Sequence, residues 1–430
     1  METLPMPDLL NPDDALHAIL AHIARLPAES VALDDALARA LAEPLIADGD
    51  LPPFDNSSLD GFAVRASDTI DAPLSLPLLL DIPAGAPPDH TLPAGAAARI
   101  MTGAPMPRGA DAVVPVEATD QQFRPGDDAA LPARVHIRTA VRPGNGVRLR
   151  GEDVHDGDTL LQAGTRLRPQ DIGMLAAFGH ARVQVIRRPR AVILSTGDEL
   201  VEPGEPLAPG KIRDANGVAL AALVRLYGGE PIRLPIIRDT IEDARARFSE
   251  ALALQPDLII SSAGVSVGAF DVVRAVLEEL GTMHFWRINL RPGKPLAFGR
   301  LGAADVPFFG LPGNPVSALV TFDVFVRPAL LRMTGLPDAV PTVTAITDES
   351  FTSDGRRSYL RIHLWRKDGA WRARLTGTQS SGALSSMLEA DGLLIVPEGM
   401  RDVPAGTLLP VRILRESALY YTGDNPPGIE

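Results

Sequence analysis

The chain carries 430 residues, no cysteine, and 54 acidic against 41 basic side chains, for a net charge of −13. Without cysteine there is no disulfide, no thiolate nucleophile and no Cys-based zinc or iron–sulfur site. The acidic balance argues against nucleic acid as the main partner, so an anionic ligand must be met by local Arg and Lys or by a metal ion.

In chain order, Met1 to Leu10 is acidic and proline-bearing, with no basic-then-apolar signal pattern. Residues 12–41 carry helical periodicity, with Leu16, Ile19, Leu20 and Ile23 on one face, and Asp34-Asp35 opens a second short helix. Leu51-Pro52-Pro53 marks a boundary. Residues 53–147 read as an inserted β module of short pieces between Gly/Pro turns. Their most apolar stretch, Leu74 to Leu80, is broken by Pro77, so no membrane span or membrane partner is expected and the chain reads as cytoplasmic. Residues 148–180 return to helical character, with Arg168-Pro169-Gln170-Asp171 opening a helix, and are expected to join 1–52 in one mixed α/β module. Residues 181–333 alternate strand and helix, as in a doubly wound α/β domain. Residues 337–416 are β again, with a hairpin turning at Asp368-Gly369. Residues 417–430 are expected to be a disordered tail.

Three strand-to-helix loops in 181–333 carry the chemistry. Ala191 to Leu194 runs into Ser195-Thr196-Gly197-Asp198-Glu199. Asp257 to Ile260 runs into Ser261-Ser262-Ala263-Gly264-Val265-Ser266-Val267-Gly268, then Asp271. Val306 to Gly310 runs into Leu311-Pro312-Gly313-Asn314-Pro315-Val316-Ser317. A strand, a Gly/Pro/Asn turn and a helix present backbone N–H groups to an anion. Three together point to one crevice at the carboxyl ends of parallel strands. The expected ligand contacts are Ser195, Thr196, Gly197, Asp198, Ser262, Gly264, Ser266, Gly268, Pro312, Gly313, Asn314 and Ser317.

A series of motifs then matches a known family. Asp55-Asn56-Ser57-Ser58-Leu59-Asp60-Gly61-Phe62-Ala63-Val64 comes first. Arg99-Ile100-Met101-Thr102-Gly103-Ala104-Pro105, Gly109 to Val114 and Arg150-Gly151-Glu152-Asp153 follow. Ser195 to Leu200, Gly264 to Gly268, Arg291-Pro292-Gly293-Lys294-Pro295 and Leu311 to Pro315 complete it. The chain resembles the MoeA-type molybdopterin molybdenumtransferases, and is similar to the E domain of gephyrin, over roughly residues 10 to 415. The resemblance implies insertion of molybdate into the dithiolene of adenylated molybdopterin, with release of AMP and use of Mg²⁺. It also implies an elongated, multidomain subunit with a MogA-like central domain and a C-terminal β-barrel-like domain. The subunit is expected to form a homodimer through the 1–52 and 148–180 module. An adenylyltransferase of the MogA type and cofactor acceptor proteins are further expected partners. The alternatives are a MogA-like adenylyltransferase, against which the motifs outside 181–333 argue, and a non-catalytic molybdopterin-binding scaffold of the gephyrin type.

A multiply anionic substrate needs a positive site. Strand alternation puts Arg287, Asn289 and Arg291 on one face, and the Pro292-Gly293 turn brings Lys294 near. Guanidinium forks suit tetrahedral oxyanions. The resemblance implies Lys at the positions of Arg287 and Arg291, so charge is kept and a deprotonatable amine is not. Glu199, Asp239 and Asp271 would repel phosphates unless a cation such as Mg²⁺ lay between, and they are the expected metal ligands. Asp271 is also an expected catalytic acid, or else a helix-cap residue, whereas Asp214 reads as a cap. Asp60 is implied as essential by the resemblance. Thr102 either bonds phosphate or closes an ST-turn, and Asp153 either supports the site or partners Arg150. Arg361 and Ser381 are candidate molybdate contacts. The histidines lack ligand spacing and are assigned no metal or catalytic role.

Overall fold

The computed structural model describes residues 9–121, 131–263 and 270–420. Three continuous apolar runs, Arg190–Ser195, Leu258–Ser262 and Val306–Leu311, pair in parallel at the centre of a six-stranded sheet. Glu230–Arg233 adds a parallel edge, while Pro295–Leu301 and Gly281–Arg287 extend the other side antiparallel. Side chains alternate between two cores: Ile193, Ile260 and Phe309 enter one, and Val192, Ile259 and Phe308 enter the other. A sheet covered on both faces needs such uninterrupted apolar strands.

Helix Ala215–Leu226 covers the first face, and Ile241–Ala253 and Phe270–Leu280 cover the second. Asp214 caps the first of these by accepting from Gly217 N at 2.8 Å, and Thr240 caps the second. Losing such a cap costs about 1 kcal/mol. The chain runs from Arg190–Ser195 out to Glu230–Arg233 on one side, then crosses to Leu258–Ser262 on the other. This is a topological switch point, where an open α/β sheet leaves a crevice.

Only part of the helical reading of 12–41 holds. The helix is Pro12–Leu20, capped by Asn11, and its Ala15 and Ile19 enter the first core beside Ala329 and Leu330. Ala28–Ala32 is instead a strand antiparallel to Arg182–Ile186, followed by a short 3-10 turn at Leu33–Asp35. Pro27 forbids continuation of a helix, and the strand's partner lies far along the chain, beyond the reach of local periodicity.

At the C-terminal end, Arg357–Lys367 pairs with both Ala370–Leu375 and Gly392–Val396. Thr342–Thr347 and Leu408–Ile413 complete a closed five-stranded barrel. Its first hairpin turns at Asp368 and Gly369, with φ of 52° and 78°, as a type I′ turn requires. Leu290–Arg291 adds to this sheet in parallel with Arg357–Ser358, which fixes the basic segment beside the barrel. Residues 417–420 of the expected tail belong to the 3-10 helix Glu416–Tyr420, with Ala418 buried; the rest of that tail lies outside the described residues.

Residues 1–42, 164–169 and 182–430 form one compact unit, and 43–163 with 170–181 form a second. The second unit is built on a five-stranded sheet ordered Ala112–Pro115, Gly61–Val64, Ala97–Ile100, Leu74–Ile82 and Arg134–Ile137. Gly61 sits so close to the Val114 carbonyl that any Cβ would collide with it.

Candidate functional site

The first unit holds a cleft of about 860 Å³. Thr196, Gly197 and Glu199 reach it from the first loop, Ser262 and Ala263 from the second, and Pro312, Gly313, Asn314 and Ser317 from the third. Arg291, Lys294 and Arg356 supply cations, and Ser381 reaches in from the barrel side. The expected convergence of three loops is thus present. Gly264, Ser266 and Gly268 lie outside the described residues.

Two backbone positions demand glycine. Gly197 has a φ of 148°, and a Cβ there would meet the Glu199 carboxylate. Gly293 has a φ of 111° and packs on Thr321, which lets the chain turn from Arg291 towards Lys294.

Several hydroxyls take roles that the sequence does not disclose. Ser195 Oγ donates to Asp214 Oδ2 at 2.8 Å, so it holds the helix cap and does not line the cleft. Asn216 Nδ2 donates to Ser262 Oγ and to the Gly313 carbonyl, both at 2.8 Å, and ties the second loop to the third. Asn314 Nδ2 donates to Ser381 Oγ at 3.1 Å, and Val316 N donates to the Ser381 carbonyl at 3.1 Å. One N–H at the start of helix Pro315–Thr321 is therefore already occupied. Sequence reading missed Asn216 because nothing local marks an Asn near a helix start as a bridge between distant loops.

Cations reach the cleft from more than one segment, Arg213 beside the first loop as well as Arg291, Lys294 and Arg356. Arg287 is exposed and does not line the cleft, whereas Ile288 and Leu290 are fully buried, so the alternation is real but only Arg291 reaches the ligand space. Arg356, the neighbour missed from sequence, is set by Asp354, which accepts from its Nε at 2.9 Å. Asp354 also lies 3.8 Å from Arg291. Burial pushes the Asp354 carboxyl up, but hydrogen bonds from Arg356 and the charges of both arginines together hold it below its ordinary value. Arg361 is fully buried behind the cleft. Its guanidinium donates to Ser386 Oγ and to the Thr378 and Ser380 carbonyls at 3.1–3.2 Å, and leaves Nη1 without a partner. Burial, then the like charge of Arg291, lowers Arg361 to about 10. It braces the Ser380-Ser381 loop and does not line the cleft.

On the opposite side Asp198 and Asp239 exchange backbone bonds: Asp198 N donates to Asp239 Oδ2 at 3.4 Å and Asp239 N to Asp198 Oδ1 at 3.3 Å. Asp239 Oδ1 and the Thr196 hydroxyl are buried with no partner. Asp271 is the second residue of helix Phe270–Leu280. Among the described residues no three His, Asp or Glu side chains gather as a ready metal site.

The second unit presents a separate acid. Asp60 Oδ1 accepts from Thr102 N at 2.7 Å and from Thr102 Oγ1 at 2.8 Å. The Thr102 hydroxyl therefore orients Asp60 and closes no ST-turn of its own. Asp153 is exposed and does not partner Arg150, whose Nε donates to Asp50 at 2.5 Å and whose N donates to Asp55 at 2.7 Å.

Glycine turns, hydroxyls and cations gather at the switch point of a doubly wound α/β sheet, the place where this class of fold binds ligands. Three family models match the chain. Residues 10–179 match the MoeA N-terminal region (domains I and II), 192–332 a probable molybdopterin binding domain, and 344–414 the MoeA C-terminal region (domain IV). The chain is 41% identical to molybdopterin molybdenumtransferase 2 of Mycobacterium tuberculosis, over 89% of this chain and 94% of that one. It is 38% identical to the molybdopterin molybdenumtransferase of Nostoc, over 94% and 92%. A crystal structure of a molybdopterin biosynthesis MoeA protein from Pyrococcus horikoshii superposes with a TM-score of 0.79 at 32% identity, covering 94% of this chain and 99% of that one. The chain belongs to the MoeA family of molybdopterin molybdenumtransferases, enzymes of molybdenum cofactor biosynthesis.

Proposed function

We propose that the cleft takes adenylated molybdopterin, and that the enzyme inserts molybdate at the pterin dithiolene and releases AMP. The observation that carries this reading is the cleft itself: about 860 Å³ of ligand space, with oxyanion donors on three loops and cations at Arg213, Arg291, Lys294 and Arg356. That volume lies in the range of small-molecule and cofactor sites. Arg291, Lys294 and Arg356 bind and orient phosphate or molybdate oxygens. Ser381, Asn314 and Ser262 supply neutral hydrogen bonds. Asp60, held by Thr102, handles a proton or a developing charge at the reacting group. The absence of protein thiolates suits this chemistry, because the sulfur ligands of molybdenum come with the pterin.

Magnesium fits the acidic wall. The donors are all oxygen, and Asp239 Oδ1 is a buried carboxylate oxygen without a hydrogen bond, which a hard cation would satisfy. Glu199 and Asp239, with Asp271, would hold the ion, which when bound would offset phosphate charge. The full reading includes a cytoplasmic homodimer, joined through 1–52 and 148–180, that receives substrate from a MogA-like adenylyltransferase and passes cofactor to acceptor enzymes. The direct test is anaerobic incubation with adenylated molybdopterin, molybdate and Mg²⁺, followed by AMP quantification. AMP release should require both molybdate and the cation. Equal release in excess EDTA removes the metal from the reading, and no release under any condition removes the activity.

A further inference from the structure

The basic wall carries one acid that an anion site does not call for. Asp354 lies in the turn Asp354-Gly355-Arg356 that leads into strand Arg357–Lys367, where Gly355 has a φ of 88°. Its Oδ1 accepts from Arg356 N at 3.1 Å and so closes the turn. An asparagine carbonyl would close such a turn equally well. The negative charge therefore has another reason, because beside a cleft that takes oxyanions it works against binding.

That reason lies in the guanidiniums around it. Oδ2 of Asp354 accepts from Arg356 Nε at 2.9 Å and from its Nη2 at 2.5 Å, while Arg356 Nη1 donates to the Leu290 carbonyl at 3.1 Å. Arg356 thus ties the carboxylate to the residue before Arg291. Among the described residues, Arg291 has no side-chain hydrogen bond and one ion pair. Its Nη1 stands 3.8 Å from Asp354 Oδ2, close enough for attraction and too far for a hydrogen bond. Arg291 also lies near enough to buried Arg361 to disfavour the charge on it. Without Asp354, Arg291 would have like charges for neighbours and no counter-charge. The two side chains of this pair are 38% and 36% exposed, so the pair adds little to folding stability. Its consequence falls on where the long Arg291 side chain rests.

We propose that Asp354 is a positioning residue: it steadies the Arg291 guanidinium at the cleft, and its charge keeps the hold on an oxyanion loose enough for the released nucleotide to leave. Arg291 is shared between a permanent carboxylate and a transient ligand, so part of its attraction is already taken up when the ligand arrives. The inference rests on reading the cleft as the adenylate site.

The test compares wild type, Asp354→Asn and Asp354→Glu as full-length proteins, by calorimetric titration with AMP and by steady-state AMP release from adenylated molybdopterin with molybdate and Mg²⁺. Asparagine keeps the turn and removes the charge. Asp354→Asn should bind AMP about tenfold more tightly, the size expected for one charge removed near an anion in a partly exposed cleft. Its kcat and KM should fall together by several-fold, since a product held longer leaves more slowly. Its melting temperature should match wild type. Asp354→Glu restores the charge and should bring AMP affinity back to within about threefold of wild type. A carboxylate that served only the fold would instead lower the melting temperature and raise KM with no gain in AMP affinity. That result overturns the inference, as does AMP affinity in Asp354→Asn equal to or weaker than wild type, or an Asp354→Glu variant that behaves as Asp354→Asn. If wild type binds AMP and Asp354→Asn binds it no tighter, this inference alone falls. If wild type binds no AMP, the reading of the cleft falls and this inference with it.

Discussion

The two walls of the cleft are built in opposite ways. On one side Arg291, Lys294 and Arg356 present positive charge, steadied by Asp354 and backed by buried Arg361. On the other, Glu199 lines the cleft with Arg213 near it, and Asp198 and Asp239 form a reciprocal pair. The basic wall is braced by protein groups, although buried Arg361 behind it leaves Nη1 without a partner. The acidic side contains a buried carboxylate oxygen with no partner, Oδ1 of Asp239, the atom that the proposed cation would satisfy. The contrast teaches that one cleft in an acidic protein can divide labour. The basic wall should govern affinity, and the acidic wall should govern turnover.

The largest expected effect tests whether acids outside the basic wall control turnover. Asp60→Asn and Asp271→Asn should each abolish AMP release, because Asn keeps the shape and loses the charge. If the proposed homodimer completes its sites with one acid from each subunit, mixing the two inactive variants should restore activity. Random reassortment makes about half the dimers mixed, each with one intact site, so recovery near a quarter of wild type is expected. No recovery despite demonstrated subunit exchange would put both acids in one subunit's site.

Next, Asp239→Asn should lower turnover by about a hundredfold or more, typical of losing electrostatic stabilisation, while molybdopterin affinity changes little. Its thermal stabilisation by Mg²⁺ should vanish. Mg²⁺ protection equal to wild type would break the division between the walls.

On the basic wall, Arg291→Ala should weaken molybdopterin binding by about 1.5–3 kcal/mol, the value of a charge-assisted hydrogen bond. Arg291→Lys should lose less. Fluorescence titration reads both, and unchanged affinity in Arg291→Ala would make this strand a solvated edge.

The smallest effect concerns pH. Burial and then Arg291 lower Arg361 to about 10. Oxyanion affinity should be flat through neutral pH and fall as pH rises through that value, because the cation behind the Ser380-Ser381 loop loses its proton. The sign for folding is opposite: a depressed cation penalises the folded state below its lowered value, and that penalty fades as pH rises past it. Affinity measured from pH 7 to 11 in wild type and Arg361→Gln would show it, the variant having no such step.

Period and turn chemistry were enough to read much of this molecule from its residues. Continuous apolar runs gave the three parallel strands, Gly and Pro gave the loops that follow them, and Asp368-Gly369 gave the barrel hairpin. The resemblance carried by the motifs named the family before any fold was in view. What stayed hidden depended on groups distant in sequence. Ala28–Ala32 is a strand only because Arg182–Ile186 supplies its hydrogen bonds. Arg356 enters the cleft because Leu290–Arg291 joins the barrel sheet. Ser195 turns to Asp214, Asn216 bridges two loops, and Arg361 withdraws behind Ser380, each to satisfy a buried polar group whose partner no local pattern identifies. The sequence by itself determined which segments could be strands, turns and anion loops, because those preferences are local. Only the tertiary structure decided which side chains share a cavity, because burial and hydrogen-bond satisfaction are set by neighbours tens to hundreds of residues away.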